Sequence, residues 1–323
     1  MRFALTDEQR AFADALDALL AAADVPAATR RWADGDPADG LHLWGRLADL
    51  GVTALGVPEE HGGLGGTPLD VAVALERLGY HGVPGPWIES VALAPALLAD
   101  AAPEVLPELA KGTARVTCAA LPWAPHALDA DTATHVYLLT GGALSRARVD
   151  RPLRSVDPAR ALAPLTPEET IGTVDDRVVD QVALGTAAWL VGAGQRLLDD
   201  TVAYVTARRQ FGRLIGEYQA VKHALADVRV GLDFARPLVG GAARSLGSAV
   251  TPEDASREVS AAKVLASDAA HRAARTALQL HGAIGYTREF DLSLWLLRVR
   301  ALLGAWGTPA FHRARIAASL RGA

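Results

Sequence analysis

The chain has 323 residues, half of them apolar and about a fifth charged, a composition that excludes disorder and allows a sizeable core. Its 32 basic and 37 acidic residues give a net charge of −5 and are mixed along the chain without a basic block, so no nucleic-acid partner is expected. A single cysteine, Cys118, rules out an internal disulfide; with no apolar leader at the N-terminus and no run near the roughly 20 apolar residues of a membrane span, the expectation is a cytoplasmic protein off the membrane.

Residues 1–112 read as a helical domain with short breaks. Thr6 followed by Gln9 has capping-box spacing, and Phe12, Leu16, Leu19 and Leu20 then share one helical face. A polar loop over 32–40 ends this unit, and Leu43 to Leu50 forms a second short helix. The stretch VPEEHGGLGGTP over 57–68 is a loop, because proline and repeated glycine break any period. Leu69–Leu78 and Val91–Leu98 are helical again. Residues 113–175 change character: β-branched residues and alternation appear, and Gly141-Gly142 between two such runs signals a hairpin. A small β unit of four to six strands is predicted, with Cys118 as a small core residue. From 176 to 323 the pattern predicts a helical bundle, with long helices over Thr186–Arg209, Tyr218–Leu246 and Pro252–His281, then Thr287–Leu303 and Pro309–Leu320. Small residues at 259, 262, 266, 269, 273 and 277 let helices approach closely. The fold class is therefore mainly α with a small β unit, its α and β layers segregated.

Three stretches carry possible chemistry. Gly192-Ala193-Gly194 begins like a dinucleotide fingerprint, but Leu197 stands at the third glycine position and no strand precedes it, so these glycines are read as easing helix packing. ARRQFG (207–212) falls where a long helix ends. Arg208 and Arg209 in its last turn either cap the helix dipole or hold a pyrophosphate through their guanidinium forks. LQLHGAIGY (278–286) ends another helix, with Gly282 as an αL cap. Its Gln279 and His281 are either plain surface residues or, in the case of the glutamine, a ligand contact.

Taken together, these stretches resemble the acyl-CoA dehydrogenase family, which carries R-x-x-F-G and, about seventy residues on, Q-x-x-G-G-x-G-Y/F. Here they stand as Arg208 to Gly212 and Gln279 to Tyr286, with Ala283 the one glycine replaced, and LWGRLADLGVTALGVPEEHGGLGGTPLDVAVALERLG (43–79) is similar to the family's first helical domain. The resemblance implies an N-terminal helical domain (1–112), a reduced β-domain (113–175), a C-terminal four-helix bundle (176–323), and FAD as cofactor. It also implies that Arg208 holds the pyrophosphate of an FAD bound mainly by a neighbouring subunit. Gln210 and Phe211 would line the adenosine and flavin side, and Gln279 and Gly282 would meet the adenosine end.

Departures from the family pattern narrow this. α,β-Dehydrogenation of an acyl-CoA requires a positioned base, in this family a carboxylate. The family's Y-E-G-T stretch stands here as Ala305-Trp306-Gly307-Thr308, and the alternative base position maps to Val182. Asp180, two residues away, should face elsewhere. The family's T-E-P-x-A-G-S-D and W-x-T stretches, which meet flavin and substrate, are absent after RVTCAALPWAPHALDAD (115–131). LLGAWGTPAFHRARIA (302–317), with His312, Arg313 and Arg315, is similar to subunits of heteromeric members acting on steroid side-chain CoA thioesters, although these residues also read as a basic helix end. The expectation is an oxidoreductase subunit with no catalytic residue and no metal of its own. It would give FAD contacts to a larger homologous partner, as an α2β2 assembly acting on an acyl-CoA. A self-sufficient enzyme with an unusual base, a cofactor-free assembly protein, and a flavoprotein of other chemistry remain as alternatives.

Overall fold

The structure, a computed structural model, describes residues 4–210, 212–248 and 250–322. The first region holds helices α1 (Asp7–Ala21), α2 (Val25–Ala33), α3 (Ala38–Asp49), α4 (Pro68–His81), α5 (Ala94–Leu98) and α6 (Leu106–Ala110). The capping box at Thr6 and Gln9 forms with both hydrogen bonds present. Helix α2 escaped the sequence reading: it lies in a polar stretch with a Pro at its start, yet Asp24 caps it and Trp32 is buried beneath it. Before α5, Ile88–Leu93 winds as one π-helical stretch, a wider turn often found at functional sites.

The β region has six strands, β1 (Val116–Leu121), β2 (Ala127–Leu128), β3 (His135–Thr140), β4 (Ala143–Val149), β5 (Leu162–Ala163) and β6 (Leu165–Thr173). Four form one sheet in the order β1-β3-β4-β6, and β2 pairs with β5 beside it. β3 and β4 join at Gly141-Gly142, both with positive φ (55° and 81°), as a tight hairpin turn requires. Alternation along β1 sends Val116, Cys118 and Ala120 into the main helical core and Ala119 into a small second cluster with Ala127, Leu138 and Ala163. Burial pushes the Cys118 thiol up, so it stays protonated and serves as packing.

The remainder is helical: α7 (Val179–Ala207), α8 (Gln219–Leu246), α9 (Pro252–His281), α10 (Leu292–Leu302) and α11 (Pro309–Gly322), with a two-strand hairpin of β7 (Arg209–Gln210) and β8 (Arg213–Leu214) between α7 and α8. Helix α7 starts seven residues earlier than its apolar pattern implied, because Val178 and Val179 are buried and continue it backwards. Helix α9 has the predicted ends, with Thr251 capping Asp254 N at 3.1 Å.

Helix α7 runs through the centre, and α4 crosses it at glycine. A Cβ on Gly192 would meet Glu76 O at 1.9 Å, and one on Gly79 would meet Trp189 O at 2.3 Å. Gly194 likewise faces Leu232 and Ala270 of the neighbouring helices. The glycines thus let backbones touch, as their helical setting implied. One contiguous core runs through all three regions. Among the described residues, no helix is long and apolar enough to cross a membrane.

Candidate functional site

The two C-terminal motifs meet at one end of the bundle. Tyr204, in the last turn of α7, stacks on His281 at the end of α9 with ring centroids 4.2 Å apart, and Phe290 closes on the edge of His281 at 5.4 Å. His281 Nδ1 donates to Ala277 O at 2.8 Å, and burial lowers its pKa, so the ring is neutral and packs between the two helix ends. Around this partly buried stack the polar groups are exposed: Arg208, Arg209 and Gln210 after α7, Gln279 in the last turn of α9 and Gly282 just beyond it.

Two details differ from expectation. Arg208 and Arg209 are not in the last turn of α7. The helix stops at Ala207, Arg208 is its extended C-cap (ψ 125°), and Arg209 and Gln210 enter the hairpin opposite Leu214 and Arg213. The cause is the register fixed by Arg208 N to Tyr204 O (2.9 Å) and Ile215 N to Arg208 O (2.9 Å). Gly282 is not an αL cap: its φ of 63° is paired with a ψ of −137°, a region open essentially to glycine alone. It turns the chain into the 3₁₀ segment Gly282–Tyr286. Phe211 lies outside the described residues.

This end suits a phosphate-bearing ligand. Arg208 makes no side-chain ion pair with any described residue, although the chain ion-pairs many other arginines. The glycine at 282 leaves a backbone surface with open space where a side chain would stand. Ile284 and Tyr286 are 42% and 75% exposed beside it, and Val230, Phe234 and Leu238 form an exposed apolar stripe on α8. Such a face is of the kind that associates with another chain.

The position of the expected base is built differently. Trp306 is 2% exposed and sits at φ +54°, a strained conformation for a large side chain. Its surroundings over-determine it. His312 Nε2 donates to Trp306 O at 3.0 Å, while Nδ1 accepts from Ser260 Oγ at 3.2 Å. Burial pushes His312 down to about 4, so it holds this neutral tautomer near pH 7. Lys263, fully buried, donates to Leu302 O and Ser267 Oγ at 3.3 Å and to Gly307 O at 3.5 Å, and burial alone brings its pKa down to about 7. The Trp306 indole in turn donates to Glu89 Oε1 at 3.0 Å.

Glu89 is the residue that sequence reasoning missed. It is 2% exposed, on the π-helical stretch, and its Oε2 is enclosed without a partner. One oxygen is taken by the indole and the other is buried without a partner. Its signal in the sequence is a lone carboxylate inside the apolar run 83–98.

At the other base position Val182 is fully buried. Asp180 turns away from it, as the helical rotation implied. Its carboxylate accepts from Ser256 Oγ on α9 and from both terminal nitrogens of Arg315 on α11, the second at 3.0 Å. A carboxylate gripped by a guanidinium and a serine hydroxyl in this way is a structural clamp between α7, α9 and α11. His312 and Arg315 are thereby internal ties rather than a free basic helix end, while Arg313 pairs with Asp268 at the surface.

Beside Trp306 lies a cavity of about 540 Å³ where the β region meets the bundle, with Trp123, His126, Arg160, Leu162 and Ala305 in its wall. The buried ion pair of Arg298 with Asp157 fixes that junction, and Arg298 also donates to Ala159 O and Val83 O at 3.4 Å. Asp129 N to Ala161 O at 2.7 Å ties the segment after β2 to the residues before β5. Burial lifts Asp129 to about 7.

A family model described as the acyl-CoA dehydrogenase N-terminal domain matches residues 6–113, and one described as the C-terminal domain matches residues 176–321. Acyl-CoA dehydrogenase IpdE2 of Mycobacterium tuberculosis (strain ATCC 25618 / H37Rv) is 37% identical over 299 residues, covering 90% of this chain and 91% of its own. The chain belongs to the acyl-CoA dehydrogenase family. This family of oxidoreductases also supplies the nearby folds. The ChsE4-ChsE5 complex from Mycobacterium tuberculosis superposes with a TM-score of 0.85 at 22% identity over the whole of both chains. The Tcur3481-Tcur3483 steroid ACAD gives 0.86 at 20% identity, with 98% of each chain covered. In this acyl-CoA dehydrogenase-family chain, the cavity is lined by Trp123 to His126, within the stretch expected to depart from the family pattern, and by Trp306, at the expected base position.

Proposed function

We propose that this chain is a half-site subunit of a heteromeric, FAD-dependent acyl-CoA dehydrogenase. A larger homologous partner carries the base and most of the flavin site, in an α2β2 assembly. Arg208 holds the pyrophosphate of the partner's FAD. Gln210 and Phe211 line its adenosine and flavin side, and Gln279 and Gly282 meet the adenosine end. The flavin, when bound, accepts the hydride that leaves the acyl β carbon; the protein groups hold and screen it. The substrate is an acyl-CoA with a steroid-derived acyl group, a reading supported by the steroid ACAD among the similar folds. The soluble cytoplasm remains the expected compartment.

The observation that carries this reading is the contrast within one chain: an exposed arginine that pairs with no described residue and a glycine turn at one end, and a tryptophan locked into the expected base position at the other. The apolar stripe of Val230, Phe234 and Leu238 supports association. The test is co-purification with the larger homologue. Arg208→Ala should weaken FAD binding by the complex about 10- to 100-fold, the range for a lost charge-assisted fork. Full FAD loading and turnover by the chain alone would overturn the proposal.

A further inference from the structure

The cavity beside Trp306 carries an unusual set of charges. Arg154 and Arg300 are exposed in its wall, Arg160 is buried at 7% exposure, and Glu89 is its one acidic residue. None of the three arginines makes a side-chain hydrogen bond or ion pair to a described residue. For Arg160 this is a demanding state, because a buried guanidinium has five donors to satisfy. The acids near it act on it through charge but give it no hydrogen bond: Asp157 is held by Arg298, while Glu89 and Asp129 each have one oxygen taken, by the Trp306 indole and by Ala161 N, and one buried oxygen without a partner. Arg298, equally buried, shows the contrast: Asp157 and two carbonyls occupy its fork. The Arg160 donors are therefore available to whatever enters the cavity.

Apart from His126 and Ser155, the rest of the wall is mostly apolar, with Trp123, Leu128, Val156, Leu162, Leu303 and Trp306 its large side chains. Its volume of about 540 Å³ lies within the range of small-molecule sites. A single buried fork matches one planar, two-oxygen anion. Glu89 in the same wall repels a dianion more strongly than a monoanion, which favours a carboxylate over a phosphate.

We propose that this cavity binds an apolar carboxylic acid, with Arg160 holding the carboxylate and Arg154 and Arg300 drawing the anion to the mouth. The site rests only on groups within this chain, so it stands whether or not the chain serves a partner's flavin.

The test uses the full-length chain and titrates 2-naphthoate against its neutral isostere 2-naphthalenemethanol, read by calorimetry and naphthyl fluorescence. Expected is saturable one-site binding of the acid, with the alcohol weaker by about tenfold or more. Arg160→Met should bring the acid down to the affinity of the alcohol. Arg300→Met should lower the acid's affinity severalfold and reduce its salt dependence. The acid–alcohol comparison needs no variant, so it decides the matter even if Arg160→Met fails to fold. Equal binding of acid and alcohol, or no saturable binding of either, overturns the proposal. So does competition by inorganic phosphate or by FAD as strong as that by the acid.

Discussion

The two places in this chain where the sequence leads to an expectation of cofactor chemistry are built in opposite ways. At the ends of α7 and α9 the polar side chains are exposed and His281 is the buried member of an aromatic stack, and neither Arg208 nor Gln279 bonds through its side chain to another described residue. After α10 the arrangement is inverted: Trp306 is buried, strained, and tied by His312, Lys263 and Glu89. The comparison shows how one chain can leave polar groups exposed at one end while burying a loop in its core at another. The outward end stays adaptable because little of the core depends on it. The closed end has become part of the core, and its residues now stabilise the fold.

That contrast makes definite predictions. The largest effect is expected at Trp306→Ala, which empties a buried site and should destabilise the chain by about 3–5 kcal/mol, read by urea unfolding. A loss below about 1 kcal/mol would mean that the loop is not core, and the contrast would collapse. Asp180→Asn comes next. It leaves the Arg315 guanidinium facing a neutral amide, and because Arg315 is 29% exposed the loss should be about 2 kcal/mol, below the range for fully buried pairs. Turnover of the assembled complex should survive this change at permissive temperature. A selective loss of kcat with unchanged stability would restore Asp180 as a candidate base. Gly282→Ala forces a side chain into a glycine-only conformation and should cost about 1–3 kcal/mol locally, seen as raised hydrogen exchange confined to 278–290 and lower flavin content.

The smallest effect near neutral pH is one of slope. Lys263 has a folded pKa of about 7 and an unfolded value near 10.5. Between these the unfolded chain binds more protons, so this group makes stability rise with pH from about 7 to about 10.5 and contributes no slope below the folded value. Lys263→Met should flatten that rise in a series of melting curves. An unchanged slope would show that the ammonium is not buried as described.

Much of this was legible in the sequence where the cause is local. The Thr6 capping box, the Gly141-Gly142 hairpin and both ends of α9 depend on residues within a few positions of one another, and they appear as read. The position of Asp180 followed from helical rotation alone. What stayed hidden depends on distant partners. Glu89 acquires its meaning from Trp306, 217 residues away. Arg160 pairs with no described residue, while Arg298, far along the chain, takes the nearby Asp157. The ends of α7 were misplaced at both sides, by buried valines before it and by the hairpin register after it.

The glycine crossing of α4 and α7 has a consequence for taking the chain apart. With Gly192 almost touching Glu76 O and Gly79 almost touching Trp189 O, the first region supplies a surface that the bundle's central helix cannot replace with solvent. A fragment beginning at 176 would present a bare groove of α7 backbone flanked by leucine and valine, and should come out of cells insoluble unless residues 1–113 are expressed beside it. Mixing these pieces with those of a relative would work only where the incoming helix also brings glycine to the crossing. The chain can exchange its surface freely, but its halves are inherited together.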